Sequence, residues 1–100
     1  MLELMFTLKG CTPVIAERAR RLLKFELGHE GTGVPVTVAT MFARCQADPA
    51  PTAEHLMRIP PRDAVDYLSD WIRSFCIDGE TCPSPDMLAR AALAYAGRAV

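Results

Sequence analysis

The chain has 100 residues, half of them apolar and 23% charged, and a net charge of -1. That composition suits one small globular domain with a single core and excludes a long disordered arm. Eleven basic residues balanced by twelve acidic ones argue against a protein built to grip phosphate backbones, and no apolar run approaches the ~20 residues of a membrane span.

The first segment, Met1 to Leu8, alternates Leu2, Leu4, Phe6 and Leu8 with Glu3, Met5 and Thr7, a period-two pattern that predicts a strand. Leu, Glu and Met also favour helix, and the chain offers no evident second strand to pair with it. Strand or extra helix therefore both stand here. The segment lacks a basic start and a small-residue cleavage site, so it does not read as a signal peptide, and a cytoplasmic chain is expected. Its four cysteines, Cys11, Cys45, Cys76 and Cys82, are then expected as reduced thiols. No CxxC pair occurs, and no metal or cofactor is expected.

Thr12-Pro13 predicts a helix start, with Gly28 as its stop. Ile15, Ala16, Ala19, Leu22, Leu23 and Leu27 share one arc of the wheel, opposite Glu17, Arg20, Arg21 and Lys24. Arg18, Arg20, Arg21 and Lys24 make this the only locally basic element and nominate it for contact with an acidic partner. His29 to Pro35 reads as a Gly-rich connector. Its Gly31-x-Gly33 is preceded by a helix rather than a strand and followed by no Lys, unlike a phosphate loop.

A second helix is expected within Val36 to Cys45, held by Val38, Met41, Phe42 and Cys45. Gln46 to Pro51 is the clearest break, after which Thr52 caps a short helix from Ala53 to Arg58. Two helices around a break suggest a helix-turn-helix DNA reader. The break is about six residues with two prolines and no glycine, longer than the usual three or four, and the second helix offers only Glu54, His55 and Arg58 to base edges, where readout favours Arg, Lys, Asn and Gln.

Pro61 to Ile77 carries the most regular amphipathic pattern. Val65, Leu68, Ile72 and Phe75 form its core stripe, with Asp63, Asp66, Ser69, Asp70, Arg73 and Ser74 on the solvated side. Tyr67 and Trp71 either flank the core or form an aromatic anchor for a partner. Cys76 is expected as a small buried residue at the helix end, and Cys82 in a loop. Asp78-Gly79 closes the helix, and Glu80 to Pro83 is loop. The last helix, Pro85 to Arg98, is capped by Ser84. It carries apolar residues around most of its circumference, as in a helix buried on several sides or docked on a second subunit.

The expected fold is all-α: a compact bundle of four to five short helices in a single domain over residues 1–100, with the N-terminal segment strand or helix. No Ser-His-Asp, Cys-His or HExxH spacing appears, so no catalytic residue is expected. The expected function is a small, non-enzymatic protein-binding module: a regulator, adaptor or inhibitor of a larger machine, a description that fits small proteins of phages and other mobile elements. Candidate partner contacts are Arg18, Arg20, Arg21, Lys24, Tyr67 and Trp71. A homodimer is the other expected association. The rival expectation is a dimeric helix-turn-helix transcriptional regulator. Clustering of Arg18, Arg20 and Arg21 with Arg44 and Arg58 on one face favours that rival, and dispersal favours a protein partner.

Overall fold

The computed structural model describes residues 12–98; the Leu2–Leu8 pattern and Cys11 lie outside them. Helix α1 (Pro13–Lys24) starts as its sequence dictates. Thr12 is extended, its Oγ1 accepts from the Ile15 N–H at 3.2 Å, and Pro13 fills the first turn, where no N–H is needed. The helix ends at Lys24, four residues before Gly28, because Phe25 turns extended and the chain enters a hairpin. Strand β1 (Glu26–Glu30) pairs antiparallel with β2 (Val34–Thr37) across Gly31-Thr32-Gly33. The Gly31 and Gly33 backbones take φ of 58° and 105°, the left-handed region where glycine carries no Cβ penalty.

This hairpin corrects both the all-α expectation and the flexible-connector reading. Leu27 fits a helix arc and a strand alternation equally well, and ladder pairing with the β-branched Val34, Val36 and Thr37 decides for the strand. Pro35, which has no N–H to give, is tolerated because both strands of a two-stranded sheet are edges. Gly28 is not a helix stop. A Cβ there would sit 3.1 Å from Ile77 Cδ1, so glycine lets the hairpin approach the second sheet.

Helix α2 (Val38–Arg44) begins two residues later than expected, with Thr37 Oγ1 accepting from the Thr40 N–H at 3.3 Å. It closes on Gln46 at φ 64°, with the Ala47 N–H donating to the Phe42 carbonyl at 2.9 Å, a Schellman-type end. Helix α3 (Pro49–Arg58) begins four residues before the expected Ala53, and Thr52 lies inside it. Pro49 and Pro51 both fall in its first turn, where missing N–H groups cost nothing. The break between α2 and α3 is thus four residues rather than six.

Helix α4 (Pro61–Arg73) stops short of the expected Ile77. Cys76–Ile77 (β3) and Glu80–Thr81 (β4) form a second hairpin around Asp78-Gly79, whose φ values are 51° and 80°. Two positive φ angles over Asp-Gly are those of a type I′ turn. The hairpins are joined by the Gly31 N–H donating to Asp78 Oδ2 at 3.1 Å. Helix α5 (Pro85–Tyr95) also ends early, at Ala96 and Gly97 (φ 89°), with the Arg98 N–H on the Leu93 carbonyl at 2.9 Å. Ser84 sits in the left-handed region and makes no side-chain cap, contrary to expectation.

The five helices of the described residues pack α1 on α3 and α4 on α5. They close over a core in which Leu22, Met41, Phe42, Leu56, Leu68, Ile72 and Leu93 are fully buried. Phe75 joins it, so the a/d stripe of α4 reads correctly. Ser69 does not: it is buried rather than solvated. Helix α5 buries Ala89, Ala92, Leu93 and Ala96 on one side only, while Met87 is 70% exposed and Ala91, Ala94 and Tyr95 also face out. Its extra apolar residues are left on the surface. No helix of the described residues is long and apolar enough to cross a membrane.

Candidate protein-binding surface

Residues at i, i+4 and i+7 of a helix share a stripe, and on α1 that outward stripe is Val14, Arg18 and Arg21, continued by Phe25 at the helix end. Val14 is 57% exposed. Arg18 and Arg21 lie over the end of α5. An ideal Cβ on Gly97 would stand 3.7 Å from Arg18 Nε and 3.6 Å from Arg21 Nη1. Beyond them Tyr95, 55% exposed, packs its ring on Phe25 with centroids 5.7 Å apart. Pro13, Val14, Glu17, Arg18 and Arg21 line a shallow depression on this face.

A third guanidinium completes the group. Arg98, half-buried, donates to the carbonyls of Leu56 and Ile59, which the C-terminus of α3 leaves without helical partners. Burial first, and then the like charge of Arg18, hold the Arg98 guanidinium below its usual range. The carboxylate paired with this patch among the described residues is Glu17, which accepts from Arg20 and stands 3.5 Å from Arg21. The hydrogen bond from Arg20, followed by the charge of Arg20, holds the Glu17 carboxyl below its ordinary value. Lys24 is exposed in the last turn of the helix.

Tyr67 and Trp71 are placed elsewhere. Trp71 supports the core, with its ring edge-on to Phe42 at 5.4 Å. Tyr67, 39% exposed, stacks edge-on to His55 at 5.4 Å and lies 6.5 Å from Trp71. Together with Asp70 and Ser74 the two aromatics line a second shallow depression. The six candidate contacts therefore divide into two groups: basic side chains on α1, of which Arg18 and Arg21 lie over the end of α5, and aromatic ones against α2 and α3.

The remaining charges and thiols are dispersed. Arg44 binds Glu30 across the first hairpin at 2.9 Å, Arg58 is 3.9 Å from Glu54, and Arg73 bonds Asp70 at 2.6 Å. Asp63, Asp66 and Asp70 are exposed, as their place on the polar side of α4 predicts. Cys76 is exposed, contrary to the expected burial, and Cys82 lies in a loop as expected, where it is buried. The pleat explains it. Cys76 pairs with Thr81 and shares its outward face, whereas Cys82 follows Thr81 and points inward to the core. Burial pushes the Cys82 thiol up, with a smaller contribution from Cys76. Among the described residues no three His, Cys, Asp or Glu side chains converge as a metal site would require.

Sequence reasoning found the arginines of α1 but missed Val14, Phe25, Tyr95 and Arg98. Spacing on α1 was the available signal for Val14. For Arg98, whose acceptors lie 39 and 42 residues earlier, there was none. Comparisons with protein-family models, with curated proteins and with solved structures find no match to this chain.

Proposed function

We propose that this chain is a small, cytoplasmic, non-enzymatic protein-binding module that docks its partner on the α1–α5 face. One observation carries the reading: Val14 and Tyr95, both more than half exposed, bracket Arg18 and Arg21 on a rigid helical surface. Apolar anchors beside arginine are what protein interfaces concentrate at their centres. A regulator, adaptor or inhibitor acts through such a surface. A two-fold dimer through the same face would set arginines against arginines, so a different protein is the better occupant. Self-association, if it occurs, falls to the outward Met87–Ala91–Ala94 row of α5.

The helix-turn-helix reading gains from the four-residue break between α2 and α3, which is within the range of that motif. It loses more from charge. Arg44 and Arg58, which a DNA reader would hold free beside the α1 arginines, are each set against a carboxylate and lie on other elements.

Photo-crosslinking in the source cells tests the proposal, with a benzoyl-phenylalanine at Val14, at Tyr95, or at the exposed Arg73, beside Asp86 at the opposite end of α5, as a control. The same protein should be captured from Val14 and Tyr95 and not from Arg73. Equal capture from all three positions, or none from the first two, would contradict it.

A further inference from the structure

We infer that the partner presents an acidic segment, whose carboxylates bind Arg18 and Arg21 while its apolar side chains cover Val14 and Tyr95. The inference rests on the docking reading above and adds the chemistry of the partner. Arg18 and Arg21 both reach within 4 Å of the position a Cβ would take on Gly97, and Arg98 stands close enough to Arg18 to feel its charge. Holding like charges together is unfavourable unless an anion joins them. Within the described residues that patch has Glu17 alone, and Glu17 is already shared between Arg20 and Arg21. The arginines at Arg44, Arg58 and Arg73 each have their own carboxylate, and Arg62 and Arg90 line a depression with Asp66; among the described residues, Arg18 and Arg98 beside Gly97 have no carboxylate of their own. Arg98 is fixed by its two backbone carbonyls and supplies field rather than contact. Arg18 and Arg21 are exposed and have planar forks that suit a carboxylate. Gly97, held at φ 89°, adds no side chain to block the approach. The apolar ends distinguish a protein segment from a nucleic acid, whose backbone offers Val14 nothing to bury.

The test uses the full chain labelled for NMR and a synthetic amphipathic helical peptide about four turns long, with glutamates on one face and leucines on the other. A counterpart carries Gln in place of every Glu, and a random-sequence DNA duplex is the third probe. The acidic peptide should shift the amides of α1 and of Tyr95 to Arg98. Its affinity should fall about fivefold or more in the double variant Arg18→Gln/Arg21→Gln, as for the loss of two exposed charge pairs, and should weaken with added salt. Arg73→Gln, beside Asp86 at the opposite end of α5 from Gly97, should change nothing, and unchanged circular dichroism verifies that the double variant folds. Three results overturn the inference: a Gln peptide that binds as tightly as the acidic one, an Arg73→Gln loss equal to that of the double variant, or tighter binding of the duplex on this face. Absence of any binding by the acidic peptide overturns it too. Tight binding of the Gln peptide at α1 would remove the acidic partner and leave the docking face standing. Failure of the crosslinks at Val14 and Tyr95 would remove the face itself.

Discussion

Leu68 and Ser69 are neighbours on α4, both buried, and their removal should have opposite effects. Leu68 is fully enclosed, so Leu68→Ala leaves a cavity and should cost about 2–5 kcal/mol. Ser69 Oγ is buried with no hydrogen-bond partner among the described residues. Keeping a hydroxyl dry and unpaired is costly, and Ser69→Ala should stabilise the chain by about 1 kcal/mol. Urea unfolding of the two variants reads both effects as shifts of the midpoint in opposite directions. A midpoint lowered by Ser69→Ala would mean that the hydroxyl has a partner after all. The pair also marks what a single position reveals in advance. Leu68, Ile72 and Phe75 are legible because apolar spacing reports the buried face directly. Ser69 carries no such mark, since a small polar residue at the edge of that face is placed by the helices packed against it. The cysteines make the same point: Cys76, expected buried, is exposed and Cys82 is buried, because the pleat of a two-residue strand, not side-chain character, decides which of them is buried.

At the scale of elements, α1, α4 and α5 announce themselves by Pro at the start and by apolar periodicity, whereas Pro49 and Pro51 of α3 read as a break, and the helix ends are where the rest of the reading fails. Helices α1, α4 and α5 all stop before the periodic pattern does. After α1 and α4 the chain turns into a hairpin whose strands are five residues or fewer, too short for period two to stand out against period 3.6. The turn chemistry was the better signal. Asp78-Gly79 between short flanking strands is a hairpin dipeptide, and Gly31-Thr32-Gly33 before a Val-Pro-Val-Thr run is a three-residue hairpin loop. The first hairpin is tied to α2 by the bidentate Glu30–Arg44 pair. The hydrogen bond from Arg44 holds the Glu30 carboxyl below its ordinary value, outweighing the opposing effect of desolvation. A carboxyl with a depressed pKa in the folded state adds stability above its unfolded pKa and loses it as pH falls through the folded one. Glu30→Gln should therefore be less stable than the parent at neutral pH. The gap should close as pH drops below the usual Glu range near ~4.3, measured as thermal midpoints across a pH series. A gap that widens toward acid would contradict the pairing.

The whole molecule separates what a core needs from what is left outside it. Half the chain is apolar, and the packing of α1 on α3 and α4 on α5 consumes the periodic part of that content. Of the large apolar side chains left exposed, Met87 and Tyr95 lie on α5 and Val14 at the N-terminal end of α1, with Val34 on β2 and Tyr67 on α4 apart from them. The sequence could show that α5 carries more apolar side chains than one stripe uses. It could not show that Gly97 and Arg98 come to rest under the arginines of α1, because only tertiary packing joins segments so far apart in the chain. Charge follows the same division: Arg44, Arg58 and Arg73 are set against carboxylates on separate elements, while Arg18, Arg21 and Arg98 are brought together beside Gly97. The central claim is that this α1–α5 face is where the protein binds its partner. Amide chemical-shift mapping of the labelled chain, with and without the protein captured by crosslinking, tests it most directly. The account predicts perturbations concentrated in residues 13–25 and 94–98. Perturbations confined to α2 and α3, or to the Tyr67–Ser74 stretch of α4, would contradict it.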